Sequence, residues 1–253
     1  MSLYTFFGCL LVAYGPVLSI FFLYIGRNAQ HVLLMVSSAF FCLIAILLSS
    51  VIWYFTRTRS AISIIYGVLI QELFRWFFFL LTRRAEKGLS TISTNPRSPF
   101  NRSLFAFVTG FGYALTSSLV SYIALLVESI GPGVIMCPSC PQASLFFISA
   151  VTTTLFSLLH IVWMMNAFEG YVSWNTNKLV GALRILWVIG SHYGASYATL
   201  LNSSNTIYLG CVYSIVTCIG ILAISIAQVL ATLKSRYRLS THLRRHSSIT
   251  TMS

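Results

Sequence analysis

Seven long apolar segments make up most of this chain of 253 residues. Only 8% of the residues are charged, whereas soluble domains carry about 25%. Each segment is long enough to form a helix of about 20 residues, which crosses the hydrocarbon core of a bilayer. The predicted segments are Leu3–Ile25, Val32–Phe55, Ala61–Leu81, Leu104–Val127, Ser144–Met165, Leu179–Leu201 and Thr206–Leu233.

The segments lack the period-two alternation of barrel strands, so helices are the expected spanning structure. The first segment is longer than a secretory signal and has no Lys or Arg before it, so it is expected to be retained. The connections leave no room for a sizeable soluble domain. The sequence therefore predicts an all-α, polytopic membrane protein, with one seven-helix domain over residues 1–233 and a basic, disordered tail over residues 234–253.

Basic residues are distributed unequally between the two ends of the predicted helices. Arg57 and Arg59 fall on one side. The other side, shared with the C-terminus, holds Arg27, Arg83, Arg84, Lys87, Arg97, Arg102, Lys178, Lys234, Arg236, Arg238, Arg244 and Arg245. Because cytosolic loops are enriched in Lys and Arg, the N-terminus is expected to be luminal or extracellular and the C-terminus cytosolic. The net charge of +12 then reflects topology and contact with anionic lipid rather than nucleic-acid binding.

The chain contains no aspartate, and its only acidic residues are Glu72, Glu86, Glu128 and Glu169. A chain without aspartate cannot by itself supply the paired aspartates of an aspartyl protease. No catalytic residue, metal site or cofactor is predicted.

Glu72 and Arg75 lie inside the third segment, in Gln71-Glu72-Leu73-Phe74-Arg75. The i, i+3 spacing puts them on one helical face, where opposite charges can meet. Arg75 is close enough to the cytosolic end to extend its side chain to the lipid headgroups. An intramembrane ion pair is predicted, serving either to orient its own helix or to make a polar contact with another helix or subunit.

His160 and His192 lie well inside the fifth and sixth segments. These helices run in opposite directions, and the two imidazoles fall at similar depth, within about two turns. They are candidates for one buried polar pocket, against the alternative that each is a satisfied packing residue. A zinc site is disfavoured because catalytic zinc takes three protein ligands.

Small residues recur every fourth position in two segments, which allows helix backbones to approach closely. The spacing does not reveal whether the neighbour is a helix of this chain or of a partner. The two predicted packing ridges are Gly110, Ala114 and Ser118, and Gly190, Gly194 and Ala198.

Cys137 and Cys140 form a C-x-x-C pair in the predicted fourth, luminal connection. No βαβ pattern surrounds them, so a thioredoxin-like redox motif is disfavoured. A local disulfide in an oxidising lumen, or two unpaired thiols, is expected instead. The remaining cysteines lie within spans and are interpreted as small packing residues.

Seven short blocks together resemble the anterior-pharynx-defective family, a subunit of gamma-secretase. They occur in the family's order over about the first 200 residues. The blocks are Phe6-Phe7-Gly8-Cys9, Ala13-Tyr14-Gly15-Pro16, Gln71-Glu72-Leu73-Phe74-Arg75, Ala85-Glu86-Lys87-Gly88-Leu89, Gly131-Pro132-Gly133-Val134, Leu158-Leu159-His160 and Gly190-Ser191-His192.

The resemblance implies a non-catalytic, seven-helix scaffold that assembles with presenilin, nicastrin and the presenilin-enhancer subunit. That complex cleaves single-pass membrane proteins such as Notch and amyloid precursor protein, with presenilin's aspartates as catalysts. His160 and His192 match family histidines that line a polar cavity and support assembly. The family's Gly-xxx-Gly-xxx-Gly ridge maps to Gly110, Ala114 and Ser118, where two glycines are replaced by other small residues. Endoplasmic reticulum and Golgi membranes are the expected location, with the assembled complex reaching the cell surface.

Three other classes of membrane protein fit the sequence less well. A seven-helix receptor fits the helix count, but Asp-Arg-Tyr, Asn-Pro-x-x-Tyr and a retinal-binding Lys in the seventh helix are all missing from the sequence. A metal-dependent intramembrane hydrolase would need more His and acidic ligands. A transporter would be expected to show inverted repeats or a pair of broken helices.

Overall fold

The computed structural model describes residues 3–92, 101–131 and 133–250. Parts of three sequence expectations lie outside the described residues: Arg97 within the third connection, Pro132, and the last three residues of the tail. The described chain is helical, apart from one hairpin and short connections. The helices are α1 (Leu3–Leu23), α2 (Ala29–Thr56), α3 (Ser60–Ile92), α4 (Asn101–Glu128), α5 (Leu145–Ser173), α6 (Lys178–Ala198) and α7 (Gly210–Thr250), with short 3-10 helices at Ile25–Arg27 and Thr199–Ser203.

Three helices begin at residues that cap them. The side chains of Asn28, Ser144 and Asn177 accept hydrogen bonds from backbone N–H groups in the first turns of α2, α5 and α6. Asn and Ser favour this position because the first N–H groups of a helix have no partner within the helix.

Six helices are long and apolar enough to cross a membrane, counted over the described part of the chain. The chain is therefore a polytopic membrane protein. The six candidate spans are Leu3–Arg27, Ala29–Thr56, Ser60–Ala85, Asn101–Glu128, Leu145–Ser173 and Gly210–Arg238. Among the seven α-helices of the described chain, α6 alone is not one of these candidates. Its 21 residues correspond to about 31 Å, but they include Arg184, His192 and several small residues, which lower its hydropathy.

α4 and α5 form the most extensive helix pair, and α2 packs on another face of α4. Gly110 and Gly112 explain the close approach. A Cβ atom at Gly110 would lie 2.9 Å from the backbone of Ile161 in α5, and one at Gly112 would lie 2.0 Å from Ser38 Oγ in α2. Small residues at these two positions let both neighbouring backbones reach α4.

Pro16 creates a specific link between α1 and α5. Proline has no backbone N–H, so the carbonyl of Val12, four residues earlier, loses its partner within the helix. The hydroxyl of Thr154 in α5 donates a hydrogen bond to that carbonyl. In lipid, where water is absent, a freed carbonyl needs such a donor.

A two-stranded antiparallel hairpin precedes α5, formed by β1 (Met136–Cys137) and β2 (Cys140–Ser144). Neither expectation for Cys137 and Cys140, a disulfide between them or two unpaired thiols, matches this structure. Cys140 is bonded to Cys211 in the first turn of α7, and Cys137 is a free, buried thiol. The reason is tertiary: the start of α7 packs on the hairpin, so a cysteine 71 residues away becomes the bonded neighbour of Cys140.

α7 extends to Thr250, so the structure has helix where the sequence predicts a disordered tail from residue 234. The sequence from residue 234 to residue 250 contains no Gly or Pro to end the helix. Arg236 also holds this part of α7 against the bundle. It donates hydrogen bonds to Ser103 Oγ at 2.8 Å and to the carboxylate of Glu169.

Candidate functional site: a buried polar network beside a cavity

Three helices bring four ionisable side chains together inside the bundle. Glu72 and Arg75 come from α3, His160 from α5 and His192 from α6. Arg75 and His192 both contact the same carboxylate oxygen, Glu72 Oε1, with His192 Nδ1 at 2.6 Å. Arg75 NH2 lies 3.3 Å from His160 Nδ1. The ion pair is therefore local to α3 and is also linked to both histidines.

The chemistry of the donors fixes the hydrogen-bonding roles of the two imidazoles. Arginine has only donors, so His160 Nδ1 accepts from Arg75 NH2, and the proton of neutral His160 is on Nε2. The ionised carboxylate of Glu72 has only acceptors, so His192 Nδ1 carries a proton and donates. The two histidines therefore play opposite roles in one network.

All four side chains are buried: Arg75 is 0% exposed, His160 1%, His192 3% and Glu72 6%. The expectation that Arg75 extends to the headgroups is wrong, because its guanidinium turns inward to Glu72 and His160. An isolated charge buried in this way would be strongly unfavourable, and pairing offsets that cost.

Aromatic rings surround the network, and the sequence did not identify them as part of the site. The His160 and His192 rings are 5.3 Å apart and nearly perpendicular, and the Trp163 ring lies 4.5 Å from that of His192. Trp163 Nε1 donates to Ser191 Oγ at 2.9 Å. The guanidinium of Arg75 also lies 5.7 Å from the Tyr113 ring, within cation–π distance.

A cavity of about 500 Å³ opens beside the two histidines, which form part of its wall. It lies between the first half of α3, the second half of α4, the first half of α5 and the second half of α6, toward the end of the molecule that carries the hairpin. Eight Ser and Thr side chains line it: Ser117, Ser118, Ser121, Ser149, Thr152, Thr153, Ser196 and Thr199. The cavity therefore carries many hydroxyl groups, although most of its wall is apolar.

The two predicted packing ridges behave differently. Gly110, Ala114 and Ser118 are buried, and the carbonyl of Ser118 also accepts a hydrogen bond from Tyr14 OH of α1 at 3.3 Å. Gly190 and Gly194 are exposed and Ala198 is partly exposed, and a Cβ at Gly190 would meet no heavy atom within 4 Å. The first ridge therefore packs within this chain, and the second remains open.

Among the residues that the structure describes, no group of three or more His, Cys, Asp or Glu could hold a metal ion. The two histidines are instead engaged with Arg75 and Glu72.

The fold and the site together define an all-helical, polytopic membrane protein with a buried polar network beside a hydroxyl-lined cavity. The sequence matches the profile of the Aph-1 protein family over residues 4–232, and the chain belongs to that family. It is 32% identical over 240 residues to "Gamma-secretase subunit APH-1B" of Mus musculus, covering 90% of each chain. It is 29% identical over 235 residues to "Gamma-secretase subunit Aph-1" of Drosophila melanogaster, covering 90% of this chain and 94% of the relative.

Proposed function

We propose that this chain is a non-catalytic scaffold and assembly subunit of a gamma-secretase intramembrane protease complex. Its membership in the Aph-1 family supports this proposal. The relatives are named as gamma-secretase subunits, and this chain aligns with nearly their full length. The absence of aspartate from the sequence agrees with a division of labour in which presenilin's aspartates perform catalysis and this chain organises the complex.

The proposed topology has seven spans, namely the six candidate spans and α6. α6 packs against α3, α5 and α7, so it lies at the same depth as helices that are apolar enough to span. Two of its polar side chains have partners within the bundle: Arg184 NH2 donates to Thr232 Oγ1 at 3.0 Å, and His192 Nδ1 donates to Glu72 Oε1. The excess of Lys and Arg on the C-terminal side supports a luminal N-terminus and a cytosolic C-terminus.

The proposed partners are presenilin, nicastrin and the presenilin-enhancer subunit, and the proposed substrates are single-pass membrane proteins such as Notch and amyloid precursor protein. Residues 1–233 would form the membrane domain, and residues 234–253 the cytosolic end of the chain. Endoplasmic reticulum and Golgi membranes are the proposed sites of assembly, from which the complex reaches the cell surface. The open ridge of Gly190, Gly194 and Ala198 supports helix contacts beyond this chain, since small residues permit close approach.

The observation that carries the proposal is the buried network of Glu72, Arg75, His160 and His192 beside the cavity. Through it, α3 is held to α5 and α6 by directional contacts rather than by apolar packing alone. Polar residues inside a membrane protein are costly and are usually retained for function. By holding these three helices together, the network would maintain the shape of the cavity that they line, and this shape would support assembly of the complex.

Replacing both histidines tests this role. His160→Ala with His192→Ala removes the acceptor for Arg75 and one donor to Glu72, so charged groups in the bundle lose partners. The expected result is a lower yield of intact complex, or lower cleavage of a membrane-anchored substrate stub per expressed chain, measured by native gel and product immunoblot.

His31→Ala is the matched control, because His31 stacks on Tyr24 near the other end of the bundle and does not line the cavity. It should leave assembly closer to wild type. Normal assembly together with normal cleavage in the double variant would remove the assigned role from these two residues.

A further inference from the structure

Three of the six cysteines meet at the hairpin end of the bundle. Cys137, Cys140 and Cys211 belong to one buried cluster, with exposures of 1%, 4% and 4%. Cys140 is bonded to Cys211, and Cys137 is a free thiol. Cys140 thus lies beside two other cysteines and can bond with only one of them at a time.

The hairpin register places Cys137 within bonding reach of Cys140. The two residues are directly opposite each other in the antiparallel ladder. Opposed residues in such a ladder have Cα atoms about 4.5–5.5 Å apart, inside the range of about 4.4–6.8 Å that disulfides use. The Cα atoms of Cys140 and Cys211 are 6.2 Å apart, in the same range. Both pairings are therefore compatible with this backbone.

Ser139 connects the three cysteines and the start of α7. Its hydroxyl donates to the carbonyl of Asn202 at 3.1 Å and accepts from the backbone N–H of Cys211 at 3.0 Å. It also lies 3.6 Å from Cys137 Sγ, and Cys137 Sγ itself donates to Asn202 O at 3.3 Å. These contacts hold the free thiol next to the bonded pair.

We propose that Cys137, Cys140 and Cys211 form a thiol–disulfide exchange site. The thiolate of Cys137 attacks Cys140 Sγ, the Cys140–Cys211 bond breaks, and a Cys137–Cys140 bond forms. The electron pair of the broken bond stays on Cys211, whose thiolate takes up the proton that Cys137 released. The number of disulfides is unchanged, so this rearrangement requires no oxidant or reductant.

Exchange would change how α7 is attached to the rest of the molecule. The Cys140–Cys211 bond ties the first turn of α7 to the hairpin before α5. After exchange the hydrogen bonds of Ser139 remain, from Leu209 N to its carbonyl and from Cys211 N to its hydroxyl. The exchange site therefore sets whether the attachment is covalent. The inference rests on the proposed topology, which places the hairpin in an oxidising lumen.

The test counts thiols in the purified full-length chain, alone and within the complex. Samples are equilibrated in a buffer of reduced and oxidised glutathione, quenched with acid, denatured and labelled with a polymer-linked maleimide that shifts gel mobility once per thiol. Wild type should show four labels, for Cys9, Cys42, Cys218 and one thiol of the cluster. Cys211→Ser should show three, because Cys137 and Cys140 then bond to each other, with glutathione disulfide as the oxidant.

The double variant Cys137→Ser with Cys211→Ser is the matched control, and its four remaining cysteines should give four labels. Five labels in Cys211→Ser would overturn the proposal, since Cys137 and Cys140 would then have stayed unbonded. The defined buffer makes this count independent of the orientation of the hairpin in the cell.

A second measurement uses the wild-type chain, in which all three cysteines of the cluster are present. Mass spectrometry of chains alkylated in the glutathione buffer should detect both the Cys140–Cys211 link and the Cys137–Cys140 link. Detection of the Cys140–Cys211 link alone would overturn the proposal. Co-purification of presenilin and nicastrin is measured in the same preparations. The disulfide links then test the exchange, and the co-purification tests the proposed function, so that either can fail without the other.

Discussion

Glu72 holds the buried network together, because one of its carboxylate oxygens receives both Arg75 and His192. Spacing within α3 predicts the Glu72–Arg75 pair, since residues three apart share a helical face. The contacts to α5 and α6 could not be read from local spacing, because they depend on which helices become neighbours. The inward direction of Arg75 was mispredicted for the same reason: the acceptor on His160 lies 85 residues away in sequence.

Breaking the ion pair at one end should be costly. Glu72→Gln leaves the guanidinium of Arg75 buried without a full counter-charge, and the expected loss of stability is about 3–5 kcal/mol. Glu72→Gln with Arg75→Met removes both charges and should cost less than the sum of the two single changes. Thermal unfolding of the purified variants in one detergent measures both effects, as a double-mutant cycle.

Glu169→Gln supplies the comparison, because Glu169 and Arg236 are 15% and 20% exposed. An ion pair that is partly exposed contributes about 1 kcal/mol or less. If the stability losses of Glu72→Gln and Arg75→Met simply add, the two side chains do not interact. If Glu72→Gln and Glu169→Gln lower the stability equally, burial does not determine the strength of these ion pairs.

The helices themselves were largely predictable from apolar segments, but their ends were not. α3 reaches Ile92 and α5 reaches Ser173, beyond the predicted ends at residues 81 and 165. Hydropathy marks where a chain can lie in lipid, whereas a helix continues as long as backbone hydrogen bonds and residue types allow. The two ridges show the same limit: spacing predicts small faces on α4 and α6 but not that only the first is buried in this chain.

Two glycines offer a direct test of helix packing. A Cβ at Gly112 would lie 2.3 Å from the carbonyl oxygen of Met35, part of a backbone that cannot rotate away. Gly112→Ala should therefore destabilise the isolated chain by at least about 1–3 kcal/mol, as overpacking does in cores. Gly190→Ala, which meets nothing within 4 Å, should leave the midpoint of thermal unfolding nearly unchanged. Equal midpoints for the two variants would contradict the close contact of α2 with α4.

At the scale of the whole molecule, composition and charge predict the class of protein, because a chain with so few charged residues has little alternative to the membrane. The cavity required tertiary information, since residues of α3, α4, α5 and α6 line it. So did the Cys140–Cys211 bond, which joins positions 71 residues apart, whereas the C-x-x-C spacing favoured the nearer partner.

The most direct test of the central claim is affinity purification of the tagged, full-length chain from membranes in a mild detergent. The measurement is the molar ratio of presenilin and nicastrin to this chain, with a tagged unrelated polytopic membrane protein as the control. If the chain is a scaffold subunit of gamma-secretase, presenilin and nicastrin should each co-purify with it at a molar ratio of about one. The purified sample should also cleave a membrane-anchored substrate stub. Recovery of the folded chain with neither protein bound would contradict the proposal.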